Sequence, residues 1–82
     1  MTVIPDVTER LGAVFHRVFG VTDATEATSI NDIPQWDSLA HIGLLLAIET
    51  EFHVSIAPEH AIEMISVRAI REILSEYGVG VG

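Results

Sequence analysis

The sequence predicts an all-α domain: a four-helix bundle with three longer helices, one short helix and a long loop between the first and second. Three observations carry that prediction. Apolar residues recur at helical spacing in three separate segments. No strand-like alternation lasts long enough to compete. Polar caps, a proline and glycines stand where helices should begin and end.

In the first segment Val7, Leu11, Val14, Phe15 and Val18 fall on one helical stripe. Asp6 and Glu9 have capping-box spacing at its start, and Gly20 is a suitable stop. From Gly20 to Asp37 no helical stripe is visible; a structureless loop this long is unusual in a compact domain, so it is expected to be either functional or mobile, with Ile30, Ile33 and Val21 able to pin it onto the core. Pro34 and Trp36 lead into a second helix from about Asp37 to Phe52, with Trp36 expected to anchor the loop. Pro58 suits the first turn of a short third helix ending near Met64. Ser66 is a good N-cap for the fourth, flanked by Ile65 and Ile70 at staple spacing. Val67, Ile70, Ile73, Leu74 and Tyr77 form its buried face, and residues 78–82 read as a flexible tail. One domain spans 1–82.

Composition narrows what such a domain can do. A chain of 82 residues has a thin core, and the 49% hydrophobic content suffices to build it. Cysteine is absent, which excludes disulfides, thiolate metal sites and a cysteine nucleophile; lysine is absent too, so no Schiff base can form. Twelve acidic residues against four arginines give a net charge of −8. That charge repels nucleic acid and anionic membranes and favours basic protein surfaces. No apolar stretch is long enough to span a bilayer, and no basic-then-apolar leader is visible. A cytoplasmic monomer is the expectation.

The second helix carries two apolar stripes. Leu44, Leu45, Ile48 and Phe52 gather on one side; Leu39, Ile42 and Leu46 gather about 130° away, with Glu49 as an acidic edge. Two readings of the second stripe stay open: burial on both sides of a central helix, or an exposed patch on which partner proteins dock. At the start of this helix Asp37 and Ser38 are redundant as caps. If Asp37 caps, the Ser38 hydroxyl is free at a helix N-terminus, where an attached phosphate would meet open N–H groups and the positive end of the macrodipole.

The run Asp37-Ser38-Leu39, set within Ile33-Pro34-Gln35-Trp36-Asp37-Ser38-Leu39-Ala40-His41-Ile42, resembles the attachment motif of the acyl carrier protein family. The stretch from Ile48 to Ile56 resembles the end of that family's second helix and the loop after it. With the domain size, the acidity and the four-helix order, the resemblance extends from the first helix to about Tyr77. It implies an acyl-carrier-protein-like fold and a 4'-phosphopantetheine arm, moved from coenzyme A onto Ser38 by a phosphopantetheinyl transferase. Acyl groups would ride on the arm as thioesters, so the protein would be a shuttle and not an enzyme. Asp37 would cap the helix and assist modification, and Leu39, Ile42, Leu46 and Glu49 would be read by partners. Those partners would be acyl-loading and acyl-processing enzymes such as ligases, ketosynthases or acyltransferases. Ala40, Gly43 and Thr50 are uncharged where fatty-acid carriers tend to be acidic, and Trp36-Asp37-Ser38-Leu39 looks more like carriers of polyketide-like or amino-acid-derived pathways. The approach Pro34-Gln35-Trp36 lacks the glycine usual in peptidyl carriers.

The remaining polar residues suggest less. His16, His41, His53 and His60 offer no i, i+4 pair within one helix, so no metal is expected. Ser38, His41 and Asp37 lie on one short stretch and cannot converge as a hydrolytic triad. His41 reads as a hydrogen-bonded histidine at the core edge, and Met64 and Tyr77 as core residues. The rival to a carrier is an unmodified adaptor domain that acts through protein contacts alone.

Overall fold

A computed structural model describes residues 7–79. Four α-helices follow in order: α1 (Val7–Phe19), α2 (Ser38–Phe52), α3 (Pro58–Ala61) and α4 (Val67–Glu76). Among the described residues there is no β-strand, and the only strand-like pairing is an isolated antiparallel bridge between Ser29 and Ser66. The all-α prediction is met.

The stripe on α1 buries Leu11, Val14, Phe15 and Phe19, while Val7 and Val18 pack at its margin. Gly20 ends the helix at φ +73° and donates its N–H to His16 O (2.9 Å), a left-handed stop that costs glycine nothing in sterics. The capping box expected at Asp6 lies outside the described residues.

The loop from Gly20 to Asp37 departs from expectation, because it is not structureless. Ile30–Asp32 form a 3₁₀ turn whose preceding residue, Ser29, donates its N–H to Asp32 Oδ2 (2.8 Å). The loop is also sewn to the start of α4. Val67 N–H donates to Thr28 O (2.9 Å) and Arg68 N–H to Glu26 O (3.2 Å), while Ala69 N–H is taken by the helix's own N-cap, Ser66 Oγ (3.0 Å). Ile30 N–H donates in return to Ile65 O (2.8 Å), and Glu26 pairs with Arg71. The first-turn N–H groups of any helix need acceptors from outside it, and here loop carbonyls supply two of them. Ile33 is buried and Ile30 and Val21 partly so, as the sequence suggested.

Helix α2 begins at Ser38, one residue inside the expected boundary, with Asp37 as its cap. It buries Leu44, Ile48 and Phe52 against α1; Leu45 is only partly covered. Glu51 reinforces that contact by pairing with Arg10 (3.1 Å) and Arg17 (3.4 Å), and the Arg10 guanidinium lies 4.4 Å from the centre of the Phe52 ring. The helix stops at His53, in the left-handed region at φ 55°.

Helix α3 is shorter than predicted, ending at Ala61 and not near Met64. Glu63 N–H bonds to His60 O (3.0 Å) and Met64 N–H to Ala61 O (3.3 Å), so the chain tightens into turns. That tightening swings Met64 fully into the core. Helix α4 buries Val67, Ile70, Ile73 and Leu74 as expected, with Ser66 as its N-cap. Ile65, placed for a staple, stays exposed on its side chain and contributes its carbonyl to Ile30 instead. Of the expected tail, Gly78 and Val79 bond back to Ser75 O and Leu74 O (both 3.0 Å); residues 80–82 lie outside the described residues.

Candidate functional site

The two polar residues at the head of α2 divide their labour. Asp37 has extended backbone angles, and its Oδ1 accepts from Ala40 N–H (2.8 Å) while its carbonyl accepts from His41 N–H (2.8 Å). Ser38 is the first helical residue; it is exposed, and its hydroxyl makes no hydrogen bond among the described residues. The N–H groups of Ser38 and Leu39 remain the open donors of the first turn. A free hydroxyl therefore stands at the positive end of a 15-residue helix.

The second stripe of α2 is exposed, which rules out burial of the helix on both sides. Leu39 is 79% exposed, Ile42 56% and Leu46 59%. The core needs only the opposite side of the helix, which packs against α1, and this side is left more than half open. Ile62, just after α3, is 75% exposed as well. Between α2 and α3 runs a groove of about 300 Å³, lined by Ile42, Leu45, Leu46, Glu49, Ile56 and Ala61.

Glu49 is placed at the edge of this apolar surface, as its helical position required. It also has an internal task that the pattern did not disclose: its Oε2 accepts from Ile56 N–H (2.8 Å), tying the loop after α2 to the helix. So Ser38, Leu39, Ile42 and Leu46 present themselves outward, Asp37 serves as cap, and Glu49 is half committed to the fold.

Two polar clusters were not foreseen in their partners. Trp36 is 4% exposed, edge-on to Phe15 with ring centres 5.3 Å apart, and its indole Nε1–H donates to His41 Nδ1 (2.9 Å). His41 Nε2 in turn lies 2.8 Å from Ala61 O. Both ring nitrogens are thus committed to partners other than Ser38. The second cluster joins the ends of α3 and α4: Tyr77 Oη accepts from Ala57 N–H (2.8 Å) and lies 2.7 Å from His60 Nδ1. The signal for the first was an indole and an imidazole five residues apart, straddling the serine. Tyr77 gave no signal beyond its place on the buried face.

Among the described residues no three His, Asp or Glu side chains converge as a metal site, and no helix is long and apolar enough to cross a membrane. No protein-family model matches this sequence, and no curated protein matches it significantly. The chemistry open to the site is that of an exposed primary hydroxyl at a phosphate-favouring helix end, beside an apolar surface.

Proposed function

We propose that the protein is an acyl carrier, bearing a 4'-phosphopantetheine arm on Ser38 that a phosphopantetheinyl transferase installs from coenzyme A. The observation that carries this reading is the unbonded, exposed Ser38 hydroxyl at the first position of α2, with Asp37 supplying the cap in its place. The resemblance of Asp37-Ser38-Leu39 and its flanks to the acyl carrier protein family points the same way.

The residues present suit such a group. The open N–H groups of Ser38 and Leu39 and the helix dipole would favour a phosphodiester on Ser38, by about 0.3–1 kcal/mol at an exposed site, enough to bias the arm's exit without fixing it. The arm supplies the thiol that a chain without cysteine lacks, and acyl groups are held on it as thioesters. Leu39, Ile42 and Leu46 offer partner enzymes an apolar footing next to the attachment point, with Glu49 at its edge. Loading and processing enzymes such as ligases, ketosynthases or acyltransferases fit that role. Uncharged Ala40, Gly43 and Thr50 on α2 weigh against fatty-synthase partners, and Trp36-Asp37-Ser38-Leu39 looks more like carriers of polyketide-like or amino-acid-derived pathways, with a fatty-acid-related pathway as the alternative.

Incubation with coenzyme A, magnesium and a broad-specificity transferase should add one phosphopantetheine mass to the wild type and none to Ser38→Ala. Labelling that persists in Ser38→Ala would refute the site. A wild type left unlabelled by several transferases would instead indicate an adaptor that works through the exposed face of α2 alone.

A further inference from the structure

We infer that His41 is a positioning residue for Ser38, acting through Trp36. The inference rests on the carrier reading for its purpose, and on the hydrogen bonds around the serine for its content.

Ser38 is exposed, but the chain on either side of it is held. Upstream, Trp36 is wedged between Phe15 and Phe19 with ring centres 5.3 and 5.6 Å away, and its N–H donates to Ile33 O (3.0 Å). Downstream, His41 sits in the first turn of α2, its N–H bonded to Asp37 O (2.8 Å). The side chains of these two residues then join over the intervening segment, Trp36 Nε1 to His41 Nδ1 at 2.9 Å. Three bonds therefore frame the serine: indole to imidazole, Ala40 N–H to Asp37 Oδ1, and His41 N–H to Asp37 O. A hydroxyl that a second protein must engage in line gains from having its backbone fixed beforehand.

The bonding partners also fix the imidazole's tautomer. An indole N–H only donates, so Nδ1 must be the unprotonated nitrogen. A carbonyl only accepts, so Nε2 must carry the hydrogen that goes to Ala61 O. One ring thus satisfies a core-anchored donor before Ser38 and the last carbonyl of α3. No other neutral side chain of this size offers an acceptor and a donor at those two places.

That division permits a dissection. In His41→Asn the amide oxygen falls near the Nδ1 position and can still accept from Trp36. In His41→Gln the amide nitrogen reaches the Nε2 position and can serve Ala61 but not Trp36. His41→Leu serves neither. Phosphopantetheinylation rates against carrier concentration should show kcat for Leu and Gln lower by about fivefold, a change of the size one part-buried hydrogen bond produces, with KM little altered. Asn should stay close to wild type. Amide hydrogen exchange at Ala40, whose N–H is held by Asp37 Oδ1 (2.8 Å) beside Ser38, read by NMR on the unmodified protein, should speed up in Leu and Gln and not in Asn. A purely structural role would instead lower the melting temperature of all three variants and leave kcat and exchange order unrelated to the Trp36 bond. Equal rates and equal exchange in Leu and Asn would overturn the inference. If the wild type accepts no arm at all, the carrier reading fails, and the exchange data alone still decide whether His41 holds Ser38.

Discussion

Two adjacent residues at the head of α2 illustrate how little separates a capping side chain from a free one. Asp37 and Ser38 are both exposed and both capable of capping, yet only Asp37 takes the bond from Ala40 N–H. Removing it by Asp37→Ala leaves that N–H without a protein acceptor and should destabilise the domain by about 1 kcal/mol. Ser38→Ala removes a hydroxyl with no internal partner, so its effect should stay within about 0.5 kcal/mol. Urea denaturation followed by the fluorescence of Trp36, the single tryptophan, reads both values. Equal losses in the two variants would mean that Ser38 shares the capping, and that its hydroxyl is less available than the bond pattern says. His53 makes the same point about backbone. It closes α2 at φ 55°, where a Cβ is strained and glycine is not. His53→Gly should therefore raise stability by roughly 0.5 kcal/mol, the relief of strain outweighing the extra freedom of the unfolded chain.

Among the elements, α2 carries most of the proposed function because it is apolar on two sides and the fold uses one. Leu44, Ile48 and Phe52 face α1, whereas Leu39, Ile42 and Leu46 face outward. The two faces should respond oppositely to substitution. Leu46→Asp should leave helical circular dichroism and melting intact while weakening transfer to and from partner enzymes. Ile48→Ala should cost about 2–4 kcal/mol, because it removes methyl groups from a fully buried site. A Leu46→Asp variant that unfolded would mean the outer stripe is core. The helices were legible in the sequence because their stripes, caps and stops are local: Val14 and Phe15 in α1, Ser66 and Ile70 in α4, Gly20 between. The connection after α1 was not, since its order comes from distant partners. Glu26 O and Thr28 O serve the first turn of α4, which lies some forty residues further along the chain. The same holds for Ala57 and His60, whose common partner is the Tyr77 hydroxyl. At the candidate site, Ser38 and Asp37 could be read from a short motif. The indole–imidazole–carbonyl chain could not, because Ala61 arrives from another helix.

Across the whole molecule the charge is unevenly spent. All four arginines pair with carboxylates inside the chain, through Glu51 on α2, Glu72 on α4 and Glu26 in the loop. Asp37, Glu59 and Glu63 lie outside those pairs and are exposed, so the head of α2 and the α3 region keep their negative charge. A basic partner is drawn toward that side by long-range attraction, and added salt screens the attraction over about 8–10 Å. Association rates with an enzyme that modifies or loads Ser38 should accordingly fall as salt rises, with dissociation rates changing less. Stopped-flow mixing at several ionic strengths separates the two, and a salt-independent association rate would remove electrostatics from the encounter.

The central claim is that Ser38 carries the arm, and peptide-level mass spectrometry after transferase treatment tests it most directly. The account predicts one phosphopantetheine per chain, located by fragmentation on Ser38. An arm found on Ser29, Ser55, Ser66 or Ser75 instead, or a fully folded wild type that no transferase modifies, would contradict it.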